Sequence, residues 1–241
     1  MKIGEDFDKI QWQFADWNLL EPNAFIGDTL LFLLAIVLAV KVHRASDGTA
    51  FYKNWTRFFV VFGMSLFVGG LGHLMWSYWG VEGKYFAWYT AILAVYFIEQ
   101  AMISLYPKKR IKNGLKNWSG LKLILSALGL TILIFKVDLA QDVSKGLLIP
   151  SINSALGMIL SLVVLGSIYQ KNKIGNFKYF WIGIAILLPS AFFQFMKINF
   201  AQWFDRNDAS HVLLAITFMC YAIGVLNFRK TKLETTSLAI R

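Results

Sequence analysis

The chain reads as an all-α integral membrane protein, a bundle of seven transmembrane helices. Three observations predict this. Of its 241 residues 57% are hydrophobic and 16% charged, where a soluble domain carries about 25% charged residues. The apolar residues gather into seven runs approaching the roughly 20 residues a membrane helix needs. The basic residues sit in alternate connections between those runs, as the positive-inside rule requires of a multi-pass protein.

The predicted spans are 24–42, 57–79, 85–106, 121–135, 146–170, 178–196 and 211–228. The fourth is short and is expected to extend past Lys122 and Lys136, whose long stems can snorkel. Pro150 and Pro189 are expected to kink spans five and six. Lys41, Arg44, Lys53, Arg57, the run from Lys108 to Lys116, Lys171, Lys173 and the residues from Arg229 onward all fall on one side. Most acids fall on the other; only Asp47 and Glu234 share the basic side. This places the N-terminus outside and the C-terminus in the cytoplasm, and six or eight spans would break the alternation. Residues 1–23 form an extracytoplasmic segment, 24–228 the membrane domain and 229–241 a cytoplasmic tail. The opening MKIGEDFDKIQWQF is acidic and amphiphilic, so it is not expected to be removed as a signal peptide.

The net charge of +10 lies in short connections, which sets topology and argues against nucleic acid as a partner. The partner implied is the lipid bilayer, with the bacterial inner membrane as the expected location. One cysteine, Cys220, permits neither a disulfide framework nor a thiolate metal site.

An ionisable residue at membrane depth is costly and is a functional candidate by default. Asp28, His73 and His211 fall near the outer ends of spans one, two and seven. If the seventh helix reaches back one turn, Asp208 shares a face with His211. Glu21 and Glu82 are near the same level. Histidine with carboxylate is suitable for holding Zn²⁺ and activating its water. His73, His211 and Asp208 are the candidate metal ligands, and Asp208 and Asp28 the candidate catalytic carboxylates. The bland readings are a helix cap for Asp28, an interfacial residue for His211 and a buried hydrogen-bonded histidine for His73. Ser65, Gly69 and His73 form a stripe that faces protein, since small residues permit close helix approach. Glu99, beside Gln100, lies too deep to join this group. It is either a relay or a structural hydrogen-bonding group whose expected partners include Asn153 and Ser154. Haem ligation by His73 and His211 is disfavoured because only one such pair exists, and span seven has no Lys for a retinal Schiff base.

Three segments carry a family resemblance: DWNLLEPNAFIGD from Asp16 to Asp28, GGLGH from Gly69 to His73, and FDRNDASHVLLAIT from Phe204 to Thr217. Together they resemble an uncharacterised family of bacterial seven-span membrane proteins. More distantly, they resemble the superfamily of alkaline ceramidases and adiponectin and progestin receptors. That resemblance implies a seven-helix bundle with zinc held by histidines of spans two and seven, matching His73 and His211. It also implies calcium at the acidic segment, where Asp16, Glu21 and Asn23 match. The sequence departs from the pattern at Asn207, which replaces a zinc histidine, and at Gly69, which replaces a serine. No Asp opens span three, where Glu82 is the nearest acid. The implied activity is metal-dependent hydrolysis of a lipid amide or ester at the outer face. The alternative is a membrane sensor or transporter with a degenerate site.

Overall fold

A computed structural model describes residues 1–239, with side chains described through Phe228. Seven helices are long and apolar enough to cross a membrane: α1 (Pro22–Arg44), α2 (Ala50–Leu74), α3 (Trp76–Ser104), α4 (Lys109–Lys136), α5 (Val143–Lys171), α6 (Lys178–Phe195) and α7 (Arg206–Phe228). The chain has the build of a multi-pass membrane protein. Each helix satisfies its own backbone hydrogen bonds, which a segment in hydrocarbon must do.

The sequence located all seven spans, and the structure moves several boundaries. Helix α2 begins at Ala50 and ends at Leu74, and α3 opens with the short turns Trp76–Trp79 and Gly80–Lys84 before Tyr85. Helix α4 begins twelve residues ahead of Leu121 because its basic first turns are helical as well. The backbone of α7 starts at Arg206 and continues as helix to Ala239, so no break separates the bundle from the expected tail. Pro150 lies in the first turn of the segment Leu148–Met158, where a missing N–H costs little. The irregularity in α5 comes later, as wider π turns over Ile159–Leu165, where the Trp181 indole N–H bonds the Leu162 carbonyl at 2.9 Å. Pro189 does lie inside its helix.

Helix α2 packs on both α1 and α3; α7 packs on α6 and α1; α3 packs on α4 and α5. The largest buried side chains form an aromatic core toward the end where α2 starts and α7 leaves. Trp55 stacks on Phe180 at 5.1 Å between ring centroids, and Phe51 and Phe228 meet at 4.7 Å. Helices α4 and α6 bury little of themselves; Leu125, Leu128, Ile132, Leu188 and Phe192 are exposed and face outward as lipid-contacting residues would.

Ahead of α1 the chain forms two small sheets at the opposite end of the bundle. Strand β1 (Lys2–Ile3) pairs antiparallel with β4 (Ile198–Asn199), which lies between α6 and α7. Strands β2 (Gln11–Phe14) and β3 (Trp17–Leu20) make a hairpin turning at Ala15, whose φ is 50°. The N-terminal segment therefore straps across the end of the bundle. The Asp6 carboxylate binds the Arg206 guanidinium, and Asn199 Nδ2 donates to the Glu5 carbonyl at 2.7 Å. Burial alone would raise the Asp6 carboxyl, but Arg206 holds it below its usual range.

Candidate functional site

The candidate residues gather at the end of the bundle that carries this strap, where α1, α2, α3 and α7 meet. Two histidine–carboxylate pairs form there. His73 Nδ1 lies 2.8 Å from Glu21 Oε2, and His211 Nε2 lies 3.2 Å from Asp28 Oδ1.

Glu21 directly precedes Pro22, which opens α1 with its preset φ. Glu21 occupies the left-handed region, φ 49° and ψ 52°, and makes no side-chain cap. That conformation is costly for a non-glycine residue and persists only where surroundings over-determine it. Here the carboxylate is held by His73 and by Lys9 Nζ at 3.0 Å. Burial would raise the Glu21 carboxyl, but His73 and Lys9 push it down to about 2.

Asp28 is not a helix cap. It sits six residues inside α1, 4% exposed, against His211 of α7. Two glycines make this approach feasible. A Cβ on Gly70 would come within 2.8 Å of Asp28 Cβ, and one on Gly27 within 3.0 Å of His211 Nδ1. Composition marks these only as small residues; the tertiary structure shows which side chain each one admits.

The His73 stripe faces α3. Ser65 Oγ donates to the Ala87 carbonyl at 2.6 Å, and the Gly69 carbonyl accepts from Lys84 Nζ at 2.9 Å. Lys84 was missed by sequence reasoning. Its ammonium is buried close enough to interact with both Asp28 and Glu21, a position concealed by its place in an apparently ordinary loop. Lys9 was missed for the same reason.

Helix α7 does reach back to Arg206, so Asp208 and His211 share a face as expected. Asp205 caps the helix: its Oδ1 accepts from the Asn207 N–H at 2.6 Å and the Asp208 N–H at 3.2 Å. Asp208 Oδ2 reciprocates by accepting from the Asp205 N–H at 3.0 Å, in the manner of a capping box. The same oxygen accepts from Asn23 Nδ2 at 2.9 Å, which ties α7 to α1. Burial raises the Asp205 carboxyl, and the neighbouring Asp208 charge adds to the effect against the lowering by the two N–H bonds.

The zinc set expected of His73, His211 and Asp208 does not form. Among the described residues no three His, Cys, Asp or Glu side chains are placed to share a metal. The donors are spent on one another instead: His73 on Glu21, His211 on Asp28, Asp208 on Asn23 and its own helix start. Asn207 faces α6, where it bonds Gln194 Nε2 at 3.1 Å. Glu82 is exposed and does not reach the site. The calcium set is dispersed as well, because Asp16 lies exposed at the hairpin turn while Glu21 and Asn23 are engaged elsewhere. The residues present do not fit either ion.

One ring nitrogen is left over. His211 Nδ1 is buried and has no hydrogen-bond partner, an expensive state for a polar atom unless something binds there. His211 and Asp208 line a groove of about 470 Å³ between α1 and α7. Asn23, Asp208 and His211 form its polar head, Trp203 and Phe204 cover that end, and Leu30, Leu31, Leu34 and Ala215 line its depth. At 1.5 Å per residue it follows α1 for about 16 Å, roughly half the 30 Å thickness of a bilayer's hydrocarbon core.

Glu99 does lie apart. Its Oε1 pairs with Lys122 Nζ at 2.9 Å, and its Oε2 accepts from Ser119. Lys122 also donates to Asn153, to the side-chain oxygen and to the carbonyl at 3.2 Å. Lys122 does not snorkel. It is buried in this network, which pins α3, α4 and α5 together; Asn153 enters through Lys122 rather than by bonding Glu99.

The fold and these clusters define a seven-helix protein of the multi-pass membrane class, with a polar cluster at one end and a closed ion-pair network deeper in the bundle. The chain belongs to the DUF6962 family, a family of unknown function, whose profile matches residues 24–230. No curated protein and no solved structure matches the chain.

Proposed function

We propose that this protein binds a lipid whose acyl chain enters the α1/α7 groove, and hydrolyses an amide or ester bond placed at the groove's polar head. The observation that carries the reading is the unpartnered His211 Nδ1 in a histidine backed by Asp28, at the head of an apolar groove one leaflet deep. A concave apolar site with a few convergent polar groups is the usual form of a small-molecule site. A histidine oriented by a carboxylate is the usual general base.

In this reading Asp28 orients the His211 ring through Nε2 and stabilises its protonated form. His211 Nδ1 takes a proton from water as the water oxygen bonds to the acyl carbonyl carbon. The carbon–nitrogen or carbon–oxygen bond then breaks and the proton passes to the departing amine or alcohol, leaving a free acid. Asn23 and Asp208 face the polar part of the lipid. The matches of His73 and His211 to the ceramidase and receptor superfamily support the same substrate class, without its zinc. The basic connections at the opposite end of the bundle support a reading in which this end faces the outer side of the membrane.

The test uses the full chain in nanodiscs with N-acyl and O-acyl single-chain lipids, following binding and acid release. Wild type is expected to bind and to turn over. Ala215→Trp should abolish binding by filling the groove, and Asp28→Asn should lower turnover by about 10²-fold or more with binding retained. Wild-type binding and turnover that ignored Ala215→Trp would defeat the proposal, as would zinc bound one per chain and required for turnover. A second reading, a lipid sensor without turnover, draws on Asp208, whose carboxylate is already held by Asn23 and the Asp205 N–H. Binding with no acid release in any variant would select it.

A further inference from the structure

The N-terminal hairpin presents an uncommitted apolar face. In a two-stranded ladder alternate side chains share a face, and the pairs Trp12–Leu19 and Phe14–Trp17 therefore put four apolar side chains on one side. The other side carries Gln11, Gln13 and Asn18 together with Leu20, which is buried against the bundle at the hairpin's base. Trp12 is 57% exposed and Phe14 66%. An isolated two-stranded hairpin is marginal in water, so this one needs a partner surface.

Its placement defines that surface. At the base, the Glu21 N–H bonds the Ile10 carbonyl at 2.9 Å, and the next residue, Pro22, starts α1. Near the tip, the Trp17 ring meets Tyr78 edge-on at 5.1 Å, and the Asn18 N–H donates to the Tyr78 hydroxyl at 2.9 Å. Tyr78 belongs to the first turn of α3. Base and tip both touch the bundle, so the hairpin lies along the end of the bundle rather than projecting from it. Strand β3 is the strand against the bundle, and β2 overhangs its edge. Trp17 turns the apolar face toward Tyr78, and Trp12 and Phe14 share that face on the overhanging strand. The α1 surface that continues below the hairpin exposes Ile26, Leu30 and Leu33, the perimeter that seven membrane-length helices present to lipid.

We propose that the β2–β3 hairpin is an interfacial anchor, with Trp12 and Phe14 seated in the headgroup layer of the bilayer that the helices cross. Tryptophan, apolar in body with one polar N–H, favours that depth, and the apolar Phe14 ring lies on the same face. The anchor also has a consequence for the polar cluster. Glu21 follows β3 directly, so a seated hairpin holds the strained Glu21 backbone where its carboxylate meets His73. The inference is independent of turnover, and of which side of the membrane this end faces.

Nitroxide labels placed singly at Trp12→Cys, Gln13→Cys and Phe14→Cys, in a Cys220→Ser background in phospholipid nanodiscs, read the face directly. Labels at 12 and 14 are expected to collide more with oxygen than with a water-soluble nickel chelate, and the label at 13 to show the reverse. Chelate-dominated collision at all three positions would overturn the proposal. Trp12→Phe, which keeps the ring, gives an independent check without a label. Quenching of tryptophan emission by lipids brominated near the headgroup should fall in the variant; unchanged quenching would count against the anchor.

Discussion

The two buried polar clusters of this bundle differ in how completely they are satisfied. In the network of Glu99, Ser119, Lys122 and Asn153, the ammonium meets a carboxylate and an amide oxygen, the carboxylate meets a hydroxyl and an ammonium, and Gln100 donates to Ser119 at 3.1 Å. At the strap end, the histidine–carboxylate pairs are made, yet His211, which lines a groove, keeps one buried ring nitrogen without a partner. A closed network holds helices together, whereas an open one leaves a place for a ligand. The ionisable residue deepest in a span, the default functional candidate, is here tied into the closed network.

The largest effect expected from breaking this contrast is at the closed network. Lys122→Met leaves Glu99 buried without its cation and should destabilise the bundle by about 3–5 kcal/mol, whereas Lys122→Met with Glu99→Gln should recover most of the loss. Thermal unfolding in detergent checks both; equal loss in the single and double variants would remove the network's structural role. Next comes Gly70→Val, which adds bulk where even a Cβ would stand 2.8 Å from Asp28 Cβ. The expected cost is about 1–3 kcal/mol, together with separation of the Asp28–His211 pair, read as lost acid release at temperatures where the chain stays folded.

His211→Gln at the open cluster should change stability by less than about 1.5 kcal/mol, because it removes a single hydrogen bond and an unsatisfied nitrogen. It should abolish acid release all the same. A stability loss as large as that of Lys122→Met would erase the distinction between the two clusters.

A last effect, read through its pH dependence, concerns Glu21. Its folded carboxyl is lowered to about 2 from a usual value near 4.5, so its contribution to stability is fully present above pH 4.5 and is lost as pH falls toward 2. Glu21→Gln should therefore lower the midpoint of thermal unfolding at pH 7, with the gap from wild type closing below pH 4.5. A gap that did not depend on pH would assign the loss to something other than the carboxylate charge.

Much of this was legible in the sequence. Lipid as solvent imposes long apolar runs, so the spans could be counted, and helical periodicity put Asp208 on the face of His211 on the condition, met in the structure, that α7 reaches back one turn. The depth of Asp28, His73 and His211 was also legible, because rise per residue is fixed. Their partners were not. Glu21 reaches His73 only because it adopts a left-handed backbone ahead of Pro22, and Lys84 reaches the cluster only because a short turn folds it back under Gly69.

What the sequence determined by itself was therefore one-dimensional: the number of helices, their approximate limits and the level at which each polar group lies. The tertiary structure decided rotation and pairing. It turned Lys122 inward to Glu99 instead of outward to snorkel, spent Asp208 on a helix start and Asn23, and left His211 Nδ1 as a ring nitrogen without a partner. The physical reason is that apolar patterning is weak on these helices, where lipid and protein interior are equally apolar. Close approach at Gly27 and Gly70, and hydrogen bonds between distant segments, then select the facing residues.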